Sequence, residues 1–174
     1  VSVSTTSSSH RYLYYEVTDL AGNTAWGFSP AIYADGDAPA ISSITQPAGL
    51  ENQQEQAVLE VTVSGVQSGV TLYHSADGRD YEPLPSGDVT LTAPGDHWFK
   101  AVSGAGVESE AQQVTLYQVA LDPGNGDSLP FRLVLEGGTV AEPQDPAWTG
   151  FTFDGWKKDG ALYNFGQAVT GDFT

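Results

Sequence analysis

Two strand-like runs, Asp96-His97-Trp98-Phe99-Lys100-Ala101-Val102 and Gln112-Gln113-Val114-Thr115-Leu116-Tyr117, decide the fold of this chain. Both runs are rich in β-branched and aromatic residues, and Gly104-Ala105-Gly106 between them favours a tight turn. Five further runs of the same kind precede them and are separated by turn-forming residues: 41–44, 57–63, 70–74, 81–84 and 88–92. Seven short strands within roughly 80 residues predict a β-sandwich.

A strand–turn–strand unit occurs twice, at an offset of 84 residues. The matched positions are Tyr15 with Phe99, Ala21-Gly22 with Ala105-Gly106, and Tyr33 with Tyr117. An acidic run that ends in a proline, 34–39, separates the first copy from the later strands and is typical of a linker. The repeat therefore predicts that residues 1–36 are the last strands of a truncated sandwich and that residues 37–117 form a complete one.

The first copy of the repeated unit resembles a known family. The run Tyr14-Tyr15-Glu16-Val17-Thr18-Asp19-Leu20-Ala21-Gly22-Asn23 is similar to the end of bacterial Ig-like surface repeats. The second copy keeps Ala105-Gly106 but has no equivalent of Asp19 and Asn23. The resemblance implies tandem Ig-like β-sandwich domains over residues 1–117.

Residues 118–174 have a different character and resemble the Listeria–Bacteroides repeat, the internalin B-type module of surface proteins. The resemblance rests on Gly150-Phe151-Thr152-Phe153-Asp154-Gly155-Trp156, on the later Tyr163-Asn164-Phe165, and on Asp172. It implies a small C-terminal β-grasp-like module that lacks its last strand. From the residues alone, Phe151 and Phe153 are expected on one face of a strand, and Gly155 permits a bend that turns Trp156 inward. We expect both Trp156 and Trp98 in cores. The predicted fold class is thus mainly β.

Composition sets the limits on function. The 174 residues include 22 Asp+Glu against 6 Lys+Arg, for a net charge of −16, and no Cys. Such a surface repels nucleic acid and anionic lipid, and the lack of Cys excludes disulfides and thiolate metal sites. No stretch is apolar enough to predict insertion into a membrane. Because the chain starts with Val1 and has no signal peptide, we expect it to be a piece of a longer polypeptide.

The acidic residues give a candidate metal site and no predicted catalytic site. Most lie beside Gly in turn contexts, where Asp is favoured for local backbone hydrogen bonds. Asp35 and Asp37 flank Gly36 at the domain junction and are candidate Ca²⁺ ligands, with solvated turns as the alternative. No other cofactor is expected. His74 and His97 fall in predicted strands of one domain and so can approach each other.

Two tryptophans are candidate carbohydrate-binding residues, because an exposed indole can stack on a sugar face. Trp26 lies in a strand of the first repeat copy, and Trp148 lies in a loop flanked by Pro146 and Gly150. Exposure of either ring is the condition for such a role.

These observations predict a non-catalytic extracellular module of a large bacterial cell-surface protein, at the cell surface or cell wall. Its role would be adhesion or that of a spacer. The expected partner is a surface protein or glycan of a host or neighbouring cell, with no nucleic acid and no membrane insertion. The alternative is an accessory or carbohydrate-binding module of a secreted glycan-degrading enzyme.

Overall fold

The computed structural model describes residues 9–12, 14–30, 32–34, 38–50, 53–65, 69–85 and 88–174. In these ranges the chain has fourteen strands and no helix, which confirms the mainly β fold class. The strands are β1 Ser9–Arg11, β2 Tyr14–Thr18, β3 Thr24–Phe28, β4 Ile32–Ala34, β5 Ala40–Thr45, β6 Ala57–Ser64, β7 Thr71–Ser75, β8 Glu82–Pro83, β9 Val89–Leu91, β10 Gly95–Val102, β11 Gln112–Val119, β12 Arg132–Leu135, β13 Lys157–Lys158 and β14 Ala161–Leu162. The described part of the chain therefore contains no helix with the length and hydropathy of a membrane span.

Strands β5 to β11 are the seven that the turn pattern predicts, and they form two facing sheets. The smaller sheet has the order β5-β6-β9 and the larger has the order β12-β11-β10-β7-β8, with antiparallel neighbours throughout. The first, second and fifth of the seven strands thus share one sheet, a division typical of immunoglobulin-type sandwiches. Whether residues 1–117 are bacterial Ig-like repeats stays a prediction, as do the domain bounds at residues 36 and 117.

The sandwich core lies between the two sheets and follows the alternation of their strands. Along β10, His97, Phe99 and Ala101 are buried. Trp98 lies between them in sequence and therefore points to the outer face of the sheet. There it is half-buried against the turn at Gly78, where an added Cβ would come 3.2 Å from the indole. The prediction that Trp98 is a core residue is therefore wrong. The core cluster comprises Ala57, Leu59, Val89, Leu91, Phe99, Leu116 and Leu133.

Strand β12 extends the larger sheet by pairing with β11, so the sheet continues beyond residue 117. Leu133 is completely buried in the sandwich core. Val134, the next residue, is equally buried but belongs to a second core on the opposite face. The members of that second core are Val119, Val134, Val140 and Val169. The pair β11–β12 therefore carries a different core on each of its faces.

The outer edge of β12 is bonded by the connection between β5 and β6. At the start of the strand, Gln54 bridges Arg132, and the Glu55 amide donates to the Phe131 carbonyl at 3.0 Å. Further along, the edge is covered by one side chain. Gln46 Nε2 donates to the carbonyl of Leu133 at 3.2 Å, and the Leu135 amide donates to Gln46 Oε1 at 3.2 Å. The side chain thus makes the two hydrogen bonds that a further strand would otherwise make with this edge. These bonds connect the C-terminal segment to the beginning of the sandwich.

Beyond β12 the chain is mostly irregular, with one short hairpin, β13–β14. Residues 150–156 do not form a strand, and Phe151 is 68% exposed while Phe153 is half-buried. The predicted common face for these two rings is therefore wrong, because no hydrogen-bonded ladder imposes alternation here. Trp156 is turned inward as expected: it is 8% exposed and meets the Phe153 ring edge-on at 5.5 Å.

The N-terminal strands form two separate two-stranded units, β1–β4 and the ribbon β2–β3. The turn of this ribbon and the turn after β10 have the same two backbone hydrogen bonds at an offset of 84 residues. In the first turn, the Asp19 amide donates to the Asn23 carbonyl (2.9 Å) and the Gly22 amide donates to the Asp19 carbonyl (3.0 Å). In the second turn, the Ser103 amide donates to the Val107 carbonyl (2.9 Å) and the Gly106 amide donates to the Ser103 carbonyl (2.9 Å). The sequence repeat is therefore also a repeat of local structure.

The two copies differ in strand register beyond the turn. The bridge between Val102 and Glu108 matches the pairing of the first copy, but Trp98 pairs with Gln113, one residue further than the repeat predicts. The extra residue is accommodated near Ser109, whose hydroxyl accepts from the Ala101 amide at 2.9 Å. A local bulge therefore separates the copies.

Candidate functional site

The most exposed aromatic pair in the C-terminal segment is formed by Trp148 and Phe151. The Phe151 amide donates to the Trp148 carbonyl at 3.0 Å, and Gly150 has φ +86°, a value that favours glycine at this turn position. The turn brings the two rings together, with centroids 4.4 Å apart and planes 23° apart. Trp148 is 52% exposed, so the condition set for its candidate role is met.

A cleft of about 230 Å³ lies beside this pair. It combines the two rings and Pro146 with three polar side chains, Asn125, Thr152 and Asp154. The Asn125 amide donates to the Ala147 carbonyl at 3.4 Å and to Asp127 at 2.7 Å, so it holds the loop in place next to the pair. Aromatic walls with a few fixed polar groups are typical of small-ligand sites.

A larger pocket of about 350 Å³ adjoins the cleft, and the two share Pro123, Gly124 and Phe153. Its wall includes five aromatic residues, among them Trp156 and Tyr163, together with aliphatic and charged ones. The indole nitrogen of Trp156 and the hydroxyl of Tyr163 are buried without a hydrogen-bond partner. Because both atoms lie out of reach of solvent, neither presents a polar group to the pocket.

Trp26, the other candidate, lies on the β2–β3 ribbon and is 57% exposed. Its ring stacks on Tyr14 at 5.0 Å with 25° between the planes, and Tyr14 also contacts Phe28 at 5.3 Å. Cross-strand aromatic contacts of this kind stabilise a two-stranded ribbon. One face of the Trp26 ring is thus occupied by Tyr14, and a role in sugar binding stays a prediction.

Asp35 and Asp37, the candidate Ca²⁺ ligands, lie outside the described residues. Within the part of the chain that the structure does describe, no three His, Cys, Asp or Glu side chains are grouped closely enough to hold a metal ion. Calcium binding by Asp35 and Asp37 therefore stays a prediction.

Three exposed carboxylates in the described ranges have lowered pKa values, and each has a local cause. Hydrogen bonds from the backbone amides of Asp80 and Arg79 lower the pKa of Asp77 to about 2. Asn23 lowers the pKa of Asp19, and the Lys157 ammonium, 2.7 Å away, lowers that of Asp154. A general acid needs the opposite shift. These groups therefore serve as turn and ion-pair acceptors.

Sequence reasoning found Trp148 but missed Phe151, which was assigned to a strand face. The available signal was the spacing: two aromatic residues three apart, with a glycine directly before the second, favour a turn that stacks both rings. Asn125 was also missed. Its contact with Ala147 spans 22 residues and has no local sequence signal.

Comparison with known proteins gives one match. Residues 117–174, which are 58 of the 174 residues, match the family model of the Listeria–Bacteroides repeat domain. No curated protein and no solved structure gives a significant match to the chain. The Ig-like interpretation of the preceding residues therefore has no support from a comparison. The resemblance of the C-terminal segment is confirmed: residues 117–174 are similar to a Listeria–Bacteroides repeat domain.

Proposed function

We propose that this chain is a non-catalytic extracellular module of a large bacterial cell-surface protein and acts in adhesion or as a spacer. The family match supports the extracellular surface location, since Listeria–Bacteroides repeats occur in surface proteins. The net charge of −16 supports it as well, because a strongly anionic surface keeps an array of β domains from associating with itself.

The observation that carries the spacer role is the continuous sheet between the sandwich and the repeat segment. Leu133 and Val134 are adjacent on β12, yet each is fully buried in a different core. A joint made by one sheet with a core on each face has no free linker at which to bend. Such a joint suits a module that holds a binding region away from the cell.

Single-molecule pulling from the two termini tests the spacer role. We expect residues 40–174 to unfold in one event, with a length increment of roughly 450 Å at about 3.4 Å per residue. Separate events for the sandwich and for residues 120–174, with the second at much lower force, would contradict a rigid spacer. Leu133→Ala should lower the force of the single event, whereas Leu162→Ala, at a 69% exposed position, should leave it unchanged.

The second candidate function is a carbohydrate-binding module of a secreted glycan-degrading enzyme. It is favoured by the cleft beside Trp148 and Phe151, where exposed rings stand next to the Asn125 amide and the Asp154 carboxylate. Stacking on a sugar face and hydrogen bonds to its hydroxyls would then come from one site.

A glycan array with the whole chain tests the second candidate. Binding that is lost in both Trp148→Ala and Phe151→Ala but kept in Leu162→Ala supports a sugar site in the cleft. Binding that is lost only in Trp26→Ala would move the site to the ribbon. Absence of signal on every glycan would contradict this candidate and leave adhesion to a protein, or the spacer role. A catalytic domain next to this segment in the parent polypeptide favours the enzyme module, whereas a wall-sorting signal favours the surface protein.

A further inference from the structure

Two of the three histidines of the chain form a direct pair inside the sandwich. Nε2 of His74, on β7, lies 2.9 Å from Nδ1 of His97, on β10, and the ring centroids are 5.1 Å apart. His97 is only 4% exposed and His74 is half-buried. The expectation that these residues can approach each other is thus confirmed.

The surroundings of the pair fix where the protons are. His97 Nε2 lies 3.0 Å from the carbonyl oxygen of Ala93, which can only accept a hydrogen bond. Neutral His97 therefore carries its proton on Nε2, and its Nδ1 accepts. The hydrogen between the two rings then belongs to His74 Nε2, which donates to His97. The neutral pair forms a chain of two hydrogen bonds that ends on the Ala93 carbonyl.

The position of this chain in the fold gives it a structural role. Strands β7 and β10 are neighbours in the larger sheet, whereas Ala93 lies in the connection that arrives from β9 of the smaller sheet. The two hydrogen bonds therefore tie one end of the larger sheet to the crossing between the sheets. The His74 ring also contacts Phe99 of the core at 5.1 Å.

Few charged groups surround the pair. Glu82, exposed on β8, is the residue opposite His74, and uncharged Val114 on β11 is opposite His97. Asp96 and Lys100 have other partners, since Thr115 donates to Asp96 and Lys100 pairs with Glu108. No ion pair reaches either histidine in the described ranges. A proton added to the pair is therefore not neutralised by a bonded carboxylate.

We propose that His74 and His97 form an acid-sensitive latch that closes this end of the sandwich at neutral pH and releases it at mildly acidic pH. A proton on His97 Nδ1 would set two N–H groups against each other and break the bond between the rings. With both rings charged, two cations about 5 Å apart also repel across the β7–β10 pairing. Release should therefore begin at β7 and β8, the last two strands on this side of the larger sheet.

The direction of the pH effect follows from burial. Desolvation lowers the pKa of His74 from 6.5, and the nearby His97 lowers it further. The unfolded chain therefore binds protons at a higher pH than the folded chain does. The stability that neutral His74 contributes is fully present above pH 6.5 and is lost as the pH falls below 6.5 toward its lowered pKa.

Urea unfolding of the whole chain between pH 8 and pH 5.5 tests the latch. Because folded His74 excludes a proton that the unfolded chain binds, the unfolding equilibrium constant should rise by up to tenfold per pH unit below 6.5. His10→Gln is the matched control, because His10 lies on β1, which pairs with β4 and belongs to neither sheet of the sandwich, and it should keep the wild-type dependence. His74→Gln should flatten the dependence, and a variant as steep as wild type would overturn the proposal.

A second measurement on the unmodified chain does not depend on the variants folding. Imidazole nitrogen NMR at pH 8 should show both rings neutral, with His97 protonated on Nε2. The amide protection factors of β7, each corrected for the intrinsic exchange rate at its pH, should then fall at pH 5.5 while those of β11 and β12 stay high. A His97 proton on Nδ1 at pH 8, or unchanged protection of β7 when both rings are charged, would overturn the latch.

Discussion

Replacing Leu133 by alanine measures how far the C-terminal segment supports the sandwich. Leu133 lies in the segment that resembles the repeat family, but its side chain is fully buried in the sandwich core. The substitution removes three carbon atoms, a loss of about 2.4 kcal/mol at about 0.8 kcal/mol per methylene. The cavity left between two sheets adds to this, and buried Leu→Ala changes cost about 2–5 kcal/mol in total. We expect the free energy of unfolding to fall within that range.

Urea unfolding at pH 7 gives the loss of stability, and amide hydrogen exchange shows where it acts. The amides of Leu59 on β6 and Phe99 on β10 should lose protection together with that of Val134. The reason is that β10 belongs to the same sheet as β12, whereas β6 belongs to the facing sheet and packs against it in the common core. Leu162→Ala is the matched control: it makes the same chemical change in the same segment, at a position that is 69% exposed. It should change the free energy of unfolding by less than about 0.5 kcal/mol.

Two results would refute this reasoning. One is a loss below about 1 kcal/mol for Leu133→Ala, which is too small for a fully buried leucine. The other is a loss of protection confined to residues 119–174 with Leu59 and Phe99 unaffected. In that case β12 would stabilise the repeat segment and not the sandwich.

Three further substitutions test local features of the same fold. Gln46→Ala removes both hydrogen bonds to β12 and should cost about 1–3 kcal/mol in urea unfolding, whereas a loss near zero would show that water replaces them equally well. Asp77→Ala should lower the melting temperature more at pH 7 than at pH 2, because the folded pKa of about 2 lies below the ordinary 3.8 and its contribution fades as pH falls through that window. An equal loss at both pH values would assign the effect to something other than the charged carboxylate. Gly106→Ala should cost about 1–2 kcal/mol, since Gly106 has φ +83° in the repeated turn, and Gly106→Asn should cost less.

The strands of the sandwich could be predicted because residues with high β propensity occur where the structure has strands, and turn-forming residues occur between them. Each is a short β-rich run between turn residues, and the seven runs correspond to β5–β11. Trp98 shows where this reasoning stops. Both faces of β10 carry an aromatic ring, Trp98 on one and Phe99 on the other, so alternation alone did not show which face is buried.

The role of β12 could not be predicted for a related reason. The run Arg132-Leu133-Val134-Leu135 is apolar on both faces, and a run of four residues does not show which sheet accepts it. Gln46, which covers its edge, is 87 residues away from its partner Leu133. Prediction of the candidate site has the same limitation. Trp148 was evident as a loop tryptophan, but the cleft is completed by a second loop, which contains Asn125 and is distant in sequence.

The strand pair β11–β12 also determines how this chain can be divided or recombined. A cut at residue 117 would fall within β11 and would therefore pass through a sheet. It would expose Leu133 and Leu135 on the repeat side and remove Leu133 from the core on the other. An insertion between the sandwich and the repeat would likewise have to lengthen the connection between β11 and β12 without displacing either core. We therefore expect the sandwich and the repeat segment to fold only as one unit, although their sequence has the appearance of two modules in series.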